Sequence, residues 1–520
     1  MARVTVGFPI HTRGAGRSPR PSFVLVGAAL LVAAWSVLPL VFIIVATAQA
    51  GLDTMLPLLF RPRVMELLTG TLLLVAVTVP VCAVLGVACA WVVERSALPG
   101  RRLFAVLFAA PLAVPAFVNS FAWVSVVPSL SGLGGAVLIT SLSYFPFIYL
   151  PVAATLRRID PAQEESAAAL GTGPGRAFLR VTLPQLRLPI LGGSLLVGLH
   201  LLAEYGAFAM IRFETFTTAI MSQYRASFGG PVAFALAGVL VIGCLLFLWG
   251  EGILRGRARY ARIGGGAARA ANLLRSRRAA AAATLFSLGL VGLALGIPLV
   301  SLARWSVAGG WEAWREPWIL PALAQSTLLG VMAAGVCTLA ALPVALLVVR
   351  WPGRLSRIIE GVQYVASSLP GIVVALAIVT VAVRAVRPAY QTLPLLMGAY
   401  LLLFLPWALV SLRAGLAQIP PGLEESARSL GFPPLVAFAR ITARLTLPAA
   451  GAGAALVFLG VVNELTATLL LAPNGTRTLA MQFWTHTNDL DYGQAAPYAL
   501  LMVLISMPVT LLLFRSSRLT

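Results

Sequence analysis

Two sets of acidic residues in this chain have types and spacing suited to chemistry or to mechanical work. Glu204 and Glu464 lie late in long apolar runs. An ionised carboxylate there costs roughly 2.5–3.5 kcal/mol at the centre of a bilayer-spanning helix and less towards its ends. Two such residues at equivalent positions point to a shared aqueous axis, where they would form a facing pair of hard oxygen ligands for a hard, highly charged cation. The alternative is that both reach the outer interface and are solvated there. Tyr205, Asn463 and Thr466 are further polar candidates close to them in sequence.

The second set is Glu164-Glu165 and Glu424-Glu425, each heading a short polar segment that enters a long apolar run. Acids in a first turn complement the positive end of a helix. The Ala-rich body that includes Ala168 is a good helix former, and Gly171 or Gly431 permits the turn that ends it. Exposed outside the membrane, such a helix can seat in a partner's groove and move as a rigid lever. Taken singly, each copy could also be an amphipathic connector with an acidic cap.

These sets belong to an internal repeat. Glu164-Glu165-Ser166-Ala167 recurs as Glu424-Glu425-Ser426-Ala427, an offset of 260 positions, since 424 − 164 = 260. The same offset carries Leu170-Gly171 onto Leu430-Gly431, Thr182 onto Thr442, Gly193 onto Gly453 and Glu204 onto Glu464. At a nearly equal offset Pro115 pairs with Pro370, and Pro99-Gly100-Arg101 pairs with Pro352-Gly353-Arg354.

With 59% hydrophobic and 11% charged residues in 520, the composition is that of an all-α polytopic membrane protein. Twelve apolar runs are long enough to cross a bilayer. They lie near 23–48, 68–93, 103–127, 135–156, 188–211 and 231–254, then 280–303, 322–349, 358–384, 390–412, 448–472 and 495–514. Ala48-Gln49-Ala50 resembles a cleavage site, but the run before it is too long for a signal peptide and is expected to be a retained first span.

The chain has no lysine, and most of its arginines fall on one set of inter-span segments, which places both termini in the cytoplasm. The basic excess therefore reads as topology facing an anionic bilayer, and no nucleic-acid partner is implied. Six spans per half put the pseudo-symmetry axis along the membrane normal. The expected division is 1–254 with a loop near 160–187, a Gly- and Arg-rich cytoplasmic linker at 255–279, and 280–520 with a loop near 420–447.

Without a lysine there is no GxxxxGK[ST] phosphate loop, so ATP hydrolysis would have to come from another polypeptide. His11, His200 and His486 are scattered, and Cys82, Cys89, Cys244 and Cys337 sit in apolar runs as small hydrophobes. No catalytic or resident metal cluster is visible. An ion-gradient-driven transporter of similar span count remains the other class.

Glu164 to Gly171 and Glu424 to Gly431, between the fourth and fifth spans of each half, resemble the EAA loop of binding-protein-dependent ABC importer permeases. The departure is Glu165-Ser166 and Glu425-Ser426, where the family has its first Ala after the acid. The segments Leu202-Ala203-Glu204-Tyr205-Gly206-Ala207 and Asn463-Glu464-Leu465-Thr466-Ala467-Thr468 are similar to those of the fused ferric iron permeases, as is Pro111-Leu112-Ala113-Val114-Pro115.

The resemblance implies a type I importer permease of two six-helix halves in the bacterial inner membrane. Its levers, Glu164, Glu165, Ala168 and Gly171 with Glu424, Glu425 and Gly431, would dock on two copies of an ABC ATPase that hold ATP and Mg2+. It further implies a periplasmic substrate-binding protein and Fe3+ as the transported substrate, passing Glu204 and Glu464. Importers for thiamine, phosphonate and polyamine are relatives with similar loops.

Overall fold

The computed structural model describes residues 21–51, 53, 57, 60–160, 162–227, 231–255, 276–420 and 422–519. His11, the N-terminal arginines, Pro161, Pro421 and nearly all of the expected linker lie outside the described residues. Among the described residues every regular element is helical. Among the described residues nine helices are long and apolar enough to cross a membrane, or up to twelve if each of three strongly bent helix pairs is one span.

The expected single spans 103–127 and 358–384 are both broken. Arg101–Ala113 meets Ala116–Val126 at 95°, and Arg354–Ser367 meets Gly371–Ala385 at 103°. The cause is the repeated proline. Pro115 and Pro370 have no amide to donate and push the preceding residue towards extended backbone, as at Val114 (φ −101°, ψ 112°). Backbone freed in this way survives at membrane depth only inside protein. Ala116 to Trp123 and Ile372 to Val379 are indeed buried without interruption.

The expected spans 188–211 and 448–472 also stop early. Their helices end at Ala203 and Val462, then restart as the short helices Gly206–Met210 and Thr466–Leu471. Each is entered through a π-helical turn, Phe178–Thr182 in one half and Phe438–Ala443 in the other. In the first half a 68° bend follows, between Gly175–Gln185 and Arg187–Ala203, whereas Pro434–Val462 is one continuous span. Pro184 and Pro189 flank the first bend, but Pro448 lies inside the continuous second span without a comparable break, so proline alone does not explain the difference.

The halves interlock through their first spans. Phe23–Ala50 packs on Ile319–Arg350 and on both arms of the broken span Arg354–Ser367 and Gly371–Ala385. There Trp35 Nε1 donates to the Gly398 carbonyl at 3.0 Å and Ser36 Oγ to Gln363 Oε1 at 2.9 Å. In return Ile297–Trp314 packs on Ala116–Val126, with Ser125 and Ser301 hydroxyls 2.7 Å apart. Each half thus contributes apolar surface to the other's core.

The fifth span packs backbone against backbone on the fourth. A Cβ at Gly193 would lie 2.8 Å from Ile148 Cα and from the Phe147 carbonyl oxygen, with no flexible side chain to yield. Overpacking of this kind costs about 1–3 kcal/mol. Gly193→Leu is therefore expected to lower the melting temperature of the detergent-solubilised protein by several degrees. Gly243→Ala, in open space on the sixth span, should leave it unchanged.

Candidate levers and gate

The levers are the helices Ala162–Ala169 and Gly422–Ser429. Both end on a left-handed glycine, Gly171 with φ +80° and Gly431 with φ +89°. The Thr172 amide then reaches back to the Ala167 carbonyl at 3.0 Å, and Phe432 to Ala427 at 3.2 Å, which satisfies carbonyls that a helix end otherwise leaves open. Nothing lies within 4 Å of a Cβ built on either glycine, so their requirement is conformational, not spatial.

The leading glutamates do more than cap. Thr182 Oγ1 donates to Glu164 Oε1 at 2.7 Å, and Thr442 donates to Glu424. On the same oxygens fall Arg95 Nε at 3.5 Å and Arg350 Nη2 at 3.4 Å. Arg95 and Arg350 are the last residues of the second spans, Pro62–Arg95 and Ile319–Arg350. Each leading glutamate therefore ties its lever both to the second span and to the π-turn that begins the fifth.

Glu165 and Glu425 point outward and are exposed, as are Leu170 (86%) and Leu430 (78%). Ala168 lies within the first helix; its side chain is outside the described residues. The second lever is more basic, with Arg428 exposed and Arg440 Cζ 5.0 Å above the Phe432 ring.

Arg95, Arg350 and Thr182 with Thr442 were not among the expected site residues. The threonines share the 260 offset of the glutamates they hold. The arginines end matching spans at an offset of 255, since 350 − 95 = 255, which a span-by-span alignment exposes.

Glu204 and Glu464 sit at the interruptions that follow the helices Arg187–Ala203 and Arg444–Val462. At 1.5 Å per residue those helices carry them roughly 25–28 Å from the helix starts at Arg187 and Arg444, close to the thickness of a bilayer core. Each carboxylate accepts the amide three residues on: Ala207 to Glu204 Oε1 at 2.9 Å and Ala467 to Glu464 Oε1 at 2.7 Å. The two interruptions meet. A Cβ on Gly206 would lie 3.1 Å from Leu465 Cδ2.

The pair is not symmetric in its partners. Tyr144 OH donates to Glu204 Oε2 at 2.6 Å, whereas the residue 260 positions on is Phe404. Glu464 instead lies beside Gly371, the first residue of the second arm of a broken span, where the positive end of the helix favours a carboxylate.

Of the other expected residues, Tyr205 is buried against Trp484, ring centroids 5.4 Å apart. Asn463 pairs with Ser506 at 3.3 Å, and Thr466 is buried at the start of its short helix. An aromatic seam across the halves, Phe117 and Phe121 with Phe483, and Phe121 and Trp305 with Tyr492, closes the interface beside them at centroid distances of 5.1–5.6 Å. Among the described residues no three His, Cys, Asp or Glu side chains converge to hold a metal ion.

The model of the binding-protein-dependent transport system inner membrane component matches twice, over residues 83–260 and 326–519. The chain is 37% identical over 500 residues to the Fe(3+)-transport system permease protein FbpB 2 of Haemophilus influenzae, covering 95% of this chain and 98% of that one. Shorter relatives match part of it. The sulfate transport system permease proteins CysW and CysT of Escherichia coli K12 are 27% and 29% identical, over 45% and 42% of this chain and 87% of each relative. A multi-span membrane protein carrying the family's domain in both halves, the chain belongs to the inner membrane components of binding-protein-dependent transport systems.

Proposed function

We propose that this chain is the permease of a ferric iron importer, made of two halves, 1–254 and 280–520, joined by the linker 255–279. Both termini lie in the cytoplasm of a bacterial inner membrane. Two ABC ATPase copies carry ATP and Mg2+ and grip one lever each, and a periplasmic binding protein delivers Fe3+ to the opposite face. ATP binding draws the levers together and opens the path outward; hydrolysis resets it. The chain itself supplies the path, the levers and the carboxylates Glu204 and Glu464, and holds no resident cofactor.

The observation that carries this reading is the near full-length similarity to a permease named for Fe(3+) transport. The paired carboxylates favour the same cargo over sulfate, because two anions on the axis repel an anion and attract a hard cation. The corresponding test is uptake by proteoliposomes holding this chain, its ATPase and its binding protein. Labelled Fe3+ is expected to accumulate only with ATP and binding protein present. Uptake of sulfate, thiamine, phosphonate or polyamine in its place, or uptake driven by an ion gradient without ATP, contradicts the proposal.

A further inference from the structure

The seat of the first lever is incompletely made in this conformation. Arg95 is 4% exposed, and its Nε and Nη2 have no hydrogen-bond partner; Glu164 Oε1, 3.5 Å from Nε, is the carboxylate that faces it. A buried guanidinium with orphaned donors is costly, and native structures rarely keep one without a reason.

The second copy shows the engaged arrangement. Arg350 Nη1 donates to the Ile419 carbonyl at 3.3 Å and Nη2 to Glu424 Oε1 at 3.4 Å. The residue 260 positions before Ile419 is Ile159, and Arg95 makes no such bond to it. The glutamates are otherwise held alike, by Thr182 and Thr442. The two seats therefore differ in one bond, and Arg95 has spare donors where Arg350 uses an acceptor.

We infer that Arg95 and Arg350 are positioning residues of the coupling cycle, and that the first seat closes onto Arg95 when the levers are drawn together. Arg95 then takes the Ile159 carbonyl and Glu164, so displacement of the lever is passed to the second span. The inference rests on the lever reading above. The fold allows it on this side in particular. The 68° bend gives the first lever a joint, whereas the second, though entered through a π-turn of its own, runs on as the continuous span Pro434–Val462.

The experiment is amide hydrogen exchange on the full complex with ATPase and binding protein, nucleotide-free and trapped with ATP and vanadate, alongside binding-protein-stimulated hydrolysis. In the wild type, amides of residues 162–172 are expected to exchange roughly tenfold more slowly on trapping. Arg95→Met should abolish that gain and reduce stimulated hydrolysis roughly tenfold. Arg95→Lys, which keeps the charge without the planar fork, should recover part of it.

Arg350→Met should speed exchange at 422–432 even without nucleotide, because that seat is already engaged. Should Arg95→Met fail to insert, Glu164→Gln carries the same test. No gain of protection in the wild type, or an equal gain in the wild type and the variants, overturns the inference. A wild-type complex whose hydrolysis does not respond to binding protein overturns instead the importer reading beneath it.

Discussion

Gly171→Val combined with Gly431→Val is expected to leave the protein inserted in the membrane and to abolish hydrolysis stimulated by the binding protein. Both glycines hold left-handed backbone, φ +80° and +89°, with open space where a side chain would go. The cost is therefore conformational, about 1–2 kcal/mol for each non-glycine residue and more for a β-branched one. That is enough to unwind the last turn of an eight-residue helix, which has few bonds to spare.

Unwinding displaces Leu170 and Leu430, the exposed apolar side chains beside the two terminating glycines. Each single variant should lose roughly tenfold in stimulated hydrolysis and the pair nearly all of it, a coupling loss of the size that separates linked from unlinked sites. Immunoblots of membranes check insertion, and phosphate release from reconstituted complexes checks coupling. Normal stimulation in the double variant would remove the levers from the mechanism.

Glu204→Gln with Glu464→Gln should have an effect as large, with the opposite signature. Glutamine keeps an oxygen for the Ala207 and Ala467 amides, and at position 204 its NH2 can donate to the Tyr144 hydroxyl oxygen in place of the bond that Glu204 Oε2 accepts, so the two interruptions hold their shape. What disappears is the charge pair. Iron uptake is expected to fall by more than about tenfold, since a hard trivalent cation then finds only neutral oxygens. Stimulated hydrolysis should persist, because the levers are untouched. Retained uptake in the double variant would make the carboxylates caps for their short helices and nothing more.

Much of this was legible in the residues. The 260 offset tied Glu164 to Glu424 and Glu204 to Glu464, and the apolar runs gave the number of crossings. Hydropathy could not see that four of those runs are interrupted, because a run stays apolar across a break that is buried in protein. The signs were Pro115 and Pro370 in two of them and the glutamates themselves in the other two.

The role of Glu164 was the harder case. An acid at the start of a helix looks like a cap, and only the fold brings Arg95 from the second span and Thr182 from the π-turn onto the same carboxylate. The swap of first spans between halves was equally out of reach. Trp35 and Gly398 are 363 positions apart and carry no pattern that links them.

The account depends above all on the levers being gripped by a nucleotide-hydrolysing partner. Photo-crosslinking residues placed at Leu170 and at Leu430, in membranes that also hold the candidate ATPase, test this directly. The account predicts an adduct with the ATPase from both positions, altered by ATP and vanadate. Adducts with lipid alone, or none with any nucleotide-hydrolysing subunit, would contradict it.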